Sequence, residues 1–278
     1  MVAPLEAVEL SHPGGPIRLA QVTDTHLGEE PGTRLLDLDT DFSLQAVLAQ
    51  LRAEQEDLSL LLATGDLSDQ GSAASYERLV DYLAPFGLPT FALPGNHDQR
   101  EVLAAACRGQ FQLVPLVRIG AWQLVLLDSQ VPGEVGGELG AGQLALLETA
   151  LAEGEARGLH TLVCLHHQPV QVGCAWLDEQ MVADADDLFA LLERFAGVRG
   201  LLWGHVHQEL NQMRGPLRLL CTPSTCVQFA PGSERFRADD QAPGYRWLEL
   251  HPDGRIDSGV SRVSDVDFDV DLDSGGYL

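Results

Sequence analysis

Five apolar stretches of this chain each run into aspartate, asparagine or histidine, and this repeated ending constrains the fold more than any other feature. Ile17–Thr23 is followed by Asp24-Thr25-His26, and Asp57–Ala63 leads into Gly65-Asp66-Leu67-Ser68-Asp69. Pro89–Leu93 enters the turn Pro94-Gly95-Asn96-His97-Asp98. Thr161–Leu165 ends in His166-His167-Gln168-Pro169, and Gly200–Trp203 in Gly204-His205-Val206-His207. The second run is nearly continuous in leucine, as a strand covered on both faces should be. Residues two apart on an extended chain point the same way, so Asp24 and His26 are expected to converge.

Amphipathic segments separate these runs. A helix from about Phe42, capped by Thr40 or Asp41, carries Leu44, Val47, Leu48 and Leu51 on one face. A second helix carries Tyr76, Leu79, Val80 and Leu83. Such strand–helix alternation implies parallel pairing and right-handed crossovers. From Leu113 the pattern changes: Leu113–Ile119 and Trp122–Leu127 flank Gly120-Ala121 as a β-hairpin. Helices are expected at about 142–157 and 186–195, and Leu217–Cys221, Tyr245–Leu250 and Ile256–Val263 read as antiparallel strands. The expected fold is α/β, with two mixed sheets face to face and helices outside, residues 1–263 forming one domain. In the acidic tail, 264–278, Asp265, Asp267, Asp269, Asp271 and Asp273 alternate with Val266, Phe268, Val270 and Leu272. It reads as a solvated edge strand or frayed tail, since no EF-hand or nonapeptide calcium pattern is present.

Lys and Arg number 17 against 41 Asp and Glu, a net charge of 17 − 41 = −24. That surface repels nucleic-acid backbones and anionic membranes, but metal ions in a pocket can still admit a small anion. No stretch approaches the roughly 20 apolar residues that span a bilayer, and Met1–Leu10 lacks the basic and apolar regions of a signal peptide. The five cysteines include no Cys-x-x-Cys pair, which favours reduced thiols and a cytoplasmic setting over a disulfide framework or zinc ribbon.

In sheets with parallel strands, ligands gather at the carboxyl ends. Six of the nine histidines stand at the five ends described above, so the ends are read together as a metal site. Carboxylate, imidazole and amide donors without thiolate suit Mn, Fe, Zn or similar ions. More donors gather than one ion can take, so two ions sharing a carboxylate is the economical solution. Ions so paired clamp an in-line displacement at phosphorus.

The motifs Asp24-x-His26, Gly65-Asp66, Gly95-Asn96-His97-Asp98, His166 and Gly204-His205-x-His207 resemble those of the calcineurin-like metallophosphoesterase superfamily. The resemblance implies a four-layer α/β/β/α sandwich and a dinuclear centre of two divalent ions, Fe or Mn before Zn or Co. By position, Asp24, His26 and His207 would bind one ion, Asn96, His166 and His205 the other, and Asp66 both; His167 could take the place of His166. Further runs are similar to bacterial class III 3′,5′-cyclic AMP phosphodiesterases: Gln21–Leu27, Leu126–Val131, Gly173–Asp178, Gly204–Leu210 and Thr222–Phe229. That likeness implies cyclic AMP as substrate, 5′-AMP as product and a metal-bridging hydroxide attacking phosphorus in line. The substrate would touch His26, Asp66, Asn96, His97 and His207, with Asn96 and His97 catalytic. His97 would protonate the leaving oxygen or stabilise the phosphoryl oxygens, and Asp69 would orient it. Trp176, Phe229, Arg235, Phe236 and Arg237 are candidate walls for the adenine. Rival readings are another small phosphodiester, such as a 2′,3′-cyclic nucleotide or glycerophosphodiester, a non-catalytic scaffold, and a cyclic-nucleotide receptor.

Overall fold

Strands of short apolar repeat need cover on both faces, and the chain supplies it by laying two mixed sheets against each other under two layers of helix. The computed structural model describes residues 5–276; the first four residues of Met1–Leu10 and the last two of the 264–278 segment lie outside the described residues. In chain order the first strands are β1 (Val8–Leu10), β2 (Ile17–Val22), β3 (Arg34–Leu35), β4 (Leu38–Asp39), β5 (Leu60–Thr64), β6 (Thr90–Leu93), β7 (Phe111–Leu113), β8 (Leu116–Ile119) and β9 (Trp122–Leu126). There follow β10 (His160–Cys164), β11 (Val198–Trp203), β12 (Leu210–Arg214), β13 (Leu217–Cys221), β14 (Gln228–Phe229), β15 (Ala238–Asp239), β16 (Gly244–Leu250) and β17 (Ile256–Arg262). The helices are α1 (Thr40–Glu54), α2 (Ala73–Leu83), α3 (Arg100–Ala106), α4 (Gly140–Ala156), α5 (Ala175–Asp178) and α6 (Ala185–Leu192).

One sheet runs β17-β16-β2-β5-β6-β7 and the other β1-β8-β9-β10-β11-β13-β12. The two-residue period of a strand sorts its side chains between layers. Leu60 and Leu62 point inward with Ile17, Leu19 and Phe91, and meet Trp122, Leu124, Leu162 and Leu202 of the other sheet. Their neighbours Leu61 and Ala63 point outward to Leu44, Val47 and Leu51 of α1 and Tyr76, Leu79 and Leu83 of α2. Across the molecule Val125, Val163 and Leu201 pack on Leu147 and Leu151 of α4 and Leu188 and Leu192 of α6. The result is the four-layer α/β/β/α sandwich expected from the sequence.

Several details differ from the sequence expectation. The stretch Leu113–Ile119 is split: Leu113 ends β7, parallel to β6 in one sheet, and only Leu116–Ile119 forms the hairpin with β9 in the other. Helix α1 begins at Thr40, capped by Asp39, whose carboxylate accepts from Phe42 N at 2.9 Å; Asp41 instead pairs with Arg78 at 2.6 Å. Leu217–Cys221 is parallel to β11 and antiparallel to β12, in the opposite sheet from the antiparallel pair β16–β17. The acidic segment 264–276 forms no strand and is not frayed. Phe268 packs against both outer cores, its ring 6.0 Å from that of Phe42, and Asp271 N donates to Leu36 O at 2.8 Å. Among the described residues no helix is long and apolar enough to cross a membrane.

Candidate metal centre

Strands β2, β5 and β6 of one sheet and β10 and β11 of the other deliver their ends to one crevice. Asp24, His26 and His207 each offer a donor atom within 4.8 Å of the others, and so do Asp24, Asp66 and His166. His26 Nε2 and His207 Nε2 are 3.3 Å apart, His207 Nε2 is 3.4 Å from Asp24 Oδ1, and His166 Nε2 is 3.1 Å from Asp66 Oδ2. Asp24, His26, Asp66, His166, His205 and His207 are all buried, while Asn96 and His97 are half-buried at the mouth.

Convergence is not achieved by the extended alternation expected for Asp24 and His26. The chain turns left-handed at both, with φ of 53° and 43°, and again at Asp66 (49°), His205 (62°) and His207 (48°). Non-glycine residues adopt this region at a cost of about 1 kcal/mol each. Backbone bonds between the loops hold it: Asp24 N donates to Gly65 O at 3.0 Å and His26 N to Asp66 O at 2.9 Å. The carboxylates accept across the crevice as well, Asp24 from His205 N at 3.0 Å and Asp66 from His97 N at 2.9 Å. Gly95 is required by close approach, since a Cβ there would overlap Asp66 and the His166 ring.

Each imidazole is turned by a partner on its far side. His166 Nδ1 donates to Thr64 O at 2.9 Å and His207 Nδ1 to Val227 O at 2.8 Å. His205 Nε2 contacts Gln180 Oε1 at 3.1 Å, and the His207 ring lies flat on Phe229, centroids 4.1 Å apart. Such outer contacts fix the tautomer and leave the opposite nitrogen for a metal. His205 Nδ1 and Asn96 Oδ1 are buried polar atoms without a hydrogen-bond partner, an arrangement that costs free energy unless something fills it. His167 differs from its neighbour, because Ser129 Oγ occupies its Nδ1 at 2.8 Å and Val135 O its Nε2 at 3.1 Å. Asp69 does hold His97, but through its backbone and not its carboxylate. His97 Nδ1 bonds its backbone oxygen at 2.9 Å, while the carboxylate lies nearer His26 Nδ1 (3.4 Å) than His97 Nδ1 (3.8 Å).

The electrostatics favour a cation. Burial pushes the Asp24 carboxyl up, but His207 and His166 outweigh it and hold it below the ordinary range. Burial acts likewise on Asp66, and His166 and His97 hold it well below. Burial disfavours charge on His166, yet Asp66 and Asp24 push it up to about 9. Burial, with His167 and His166, holds His205 well below its usual value. Two buried carboxylates thus draw positive charge to the centre, and neutral imidazole is available beside them.

Sequence reasoning missed the braces. Asp98 is buried and accepts from Leu67 N (3.1 Å), Ser68 N (3.1 Å), Gly95 N (2.8 Å) and Tyr76 Oη (2.9 Å), tying the Asp66 loop to the Asn96 loop. Burial and the nearby Asp66 push its carboxyl up to about 6. Gln130 Nε2 adds bonds to Gly95 O at 2.8 Å and Asp98 O at 2.5 Å. The buried donors that Asp98→Ala strands should cost about 3–5 kcal/mol, read by urea unfolding of metal-free protein. A loss below about 1 kcal/mol would show that the loops are held elsewhere.

Beside the cluster lies a cavity of about 310 Å³, lined by Asn96, His97 and His205 on the metal side and by Trp176, Phe229 and Phe236 beyond. The three aromatic rings meet edge to face at 5.1 to 5.5 Å. Arg235 and Arg237, expected as walls, are exposed and do not line it.

The family model for calcineurin-like phosphoesterases matches residues 17–209. The chain belongs to the calcineurin-like phosphoesterase family. A Pseudomonas aeruginosa protein named 3′,5′-cyclic adenosine monophosphate phosphodiesterase CpdA is 49% identical over 261 residues, covering 94% of this chain and 95% of that one. An Escherichia coli K12 protein of the same name is 43% identical over 264 residues, with the same coverage. The fold is shared with a dimetal phosphatase from Danio rerio, at a TM-score of 0.61 and 14% identity, covering 89% of this chain and 99% of that one.

Proposed function

We propose that this chain hydrolyses 3′,5′-cyclic AMP to 5′-AMP at a dinuclear metal centre. The observation that carries this reading is the shared wall: Asn96, His97 and His205 face the aromatic cavity from the edge of the donor cluster. A phosphate at the cluster therefore has room for a ribose and base beside it. The two relatives named for this activity support the substrate, and so does the resemblance to that group described above. Ser129 and Gln130 brace the site, and Val227 turns His207.

Asp24, His26 and His207 would hold one ion, Asn96, His166 and His205 the other, with Asp66 between. The orphaned Asn96 Oδ1 and His205 Nδ1 and the absence of thiolate from the donor set fit Fe or Mn, then Zn or Co. Bound there, the ions supply Lewis-acid activation of water and neutralise charge on the phosphoryl oxygens. His97, its Nδ1 fixed by the Asp69 carbonyl, presents its other nitrogen at the mouth and donates a proton to the 3′ oxygen as the P–O3′ bond breaks. Trp176 and Phe236 offer faces or edges for the adenine. Residues 1–263 act as one catalytic domain with 264–278 as an accessory segment. We place the protein in the cytoplasm, where Cys164, Cys174, Cys221 and Cys226 stay as the buried free thiols seen here. The net charge of −24 keeps nucleic acid away.

The test is product analysis. Metal-loaded protein incubated with 3′,5′-cyclic AMP should yield 5′-AMP and no 3′-AMP on chromatography. Turnover of 2′,3′-cyclic AMP alone, or of neither substrate, would refute the reading.

A further inference from the structure

The alternating acidic segment has no role in the chemistry above, yet it reaches the same cavity. Gly275 and Gly276 line the cavity together with Trp176 and Phe236. The apolar half of the alternation explains how the segment is held. Val266 packs on the core under α1 and α2, Val270 on the core under α4 and α6, and Phe268 on both. The Asp271 N–Leu36 O bond adds a fixed point. Beyond it the chain folds on itself, Ser274 Oγ donating to Gly276 O at 2.7 Å. The aspartates stay exposed.

We propose that the 264–276 segment is the selectivity wall of the nucleotide cavity, admitting a cyclic mononucleotide and turning away longer phosphodiesters. This rests on the cyclic-nucleotide reading of the site. The steric part follows from position: a space of about 310 Å³ is at the small end for a ligand pocket, and Gly275 and Gly276 form part of its wall, so a second nucleotide extending on that side would meet the segment. The electrostatic part follows from chain length. Asp273 stands two residues before Gly275, so its Cα is within about 7 Å of the Gly275 Cα at the cavity wall, a separation comparable with a Debye length of about 8 Å at physiological salt. A mononucleotide carries its single phosphate at the donor cluster, whereas a longer diester brings further phosphates up to this carboxylate.

Two variants test it, each assayed with 3′,5′-cyclic AMP, with the 5′-phosphorylated dinucleotide pApA, which carries a second phosphate besides the scissile one, and by calorimetric binding of 5′-AMP. At Gly275 a Cβ would meet open space and no left-handed backbone is required, so Gly275→Trp is expected to fold and to fill the mouth. KM for cyclic AMP should rise at least tenfold with kcat within about twofold, and 5′-AMP should bind at least tenfold more weakly. Phe268→Ala removes the anchor. It should raise KM for cyclic AMP about fivefold and increase dinucleotide hydrolysis at least fivefold. Unchanged KM, 5′-AMP affinity and dinucleotide discrimination in Gly275→Trp would overturn the proposal even if Phe268→Ala fails to fold. Wild-type protein that binds 5′-AMP, weakened by Gly275→Trp, but never cleaves cyclic AMP would instead sink the catalytic reading and leave the wall standing.

Discussion

Asp66→Asn should abolish turnover and strip the protein of at least one of its two metal ions. Asp66 faces both sets of imidazoles, with Oδ2 3.1 Å from His166 Nε2 and 3.8 Å from His26 Nε2; Asp24, by contrast, is 3.4 Å from His207 Nε2 but 3.9 Å from His166 Nε2. Its other oxygen accepts the His97 amide at 2.9 Å and so positions the loop that carries Asn96. Asparagine keeps the size, so the fold should persist. The charge that draws cations into a buried pocket is lost, and an N–H₂ is turned toward one of its neighbours. We expect kcat to fall by about 10³ or more, the scale of losing preorganised charge at a reacting phosphoryl group. Metal content, read by inductively coupled plasma mass spectrometry, should fall from two equivalents per chain to one or none. Two retained equivalents with normal turnover would remove Asp66 from the centre.

His97→Ala should behave in the opposite way on metal and the same way on rate. His97 stands at the cavity mouth with its Nδ1 engaged by the Asp69 carbonyl, and its ring meets that of His26 edge to face at 4.8 Å. Removing it should leave both ions in place. The loss of a positioned general acid typically lowers the rate by about 10²–10⁴, here in kcat more than in KM. A substrate with a nitrophenolate leaving group, which needs no protonation, should be hydrolysed with much less loss. Equal loss on both substrates would assign His97 to phosphoryl-oxygen stabilisation, and no loss on either would deny it a role in turnover.

Much of the architecture was legible because strand period and helix period are sequence properties. Leu60 to Ala63 alternates between two cores, and Leu44, Val47 and Leu51 line one helix face, so the layers could be anticipated. What could not be read were features set by distant partners or by backbone conformation. Asp24 and His26 do meet, but through left-handed turns that no side-chain pattern announces. His166 and His167 follow the same strand; they are told apart by Ser129 and Val135, 38 and 32 residues away from His167. Strand β12 was missed because four of its five residues are exposed, leaving no apolar alternation. Asp98 looked like a turn residue, and its burial under four donors depends on loops that meet only in the folded chain. The acidic segment looked solvated because its charges are conspicuous, whereas Val266, Phe268 and Val270 decide where it lies.

Anomalous diffraction from crystals grown with manganese tests the central claim most directly. We expect two peaks about 3.5–4 Å apart, one against Asp24, His26 and His207, the other against Asn96, His166 and His205, with Asp66 touching both. A single peak away from Asp66, or metal held by His167 with His166 turned aside, would contradict the centre described here.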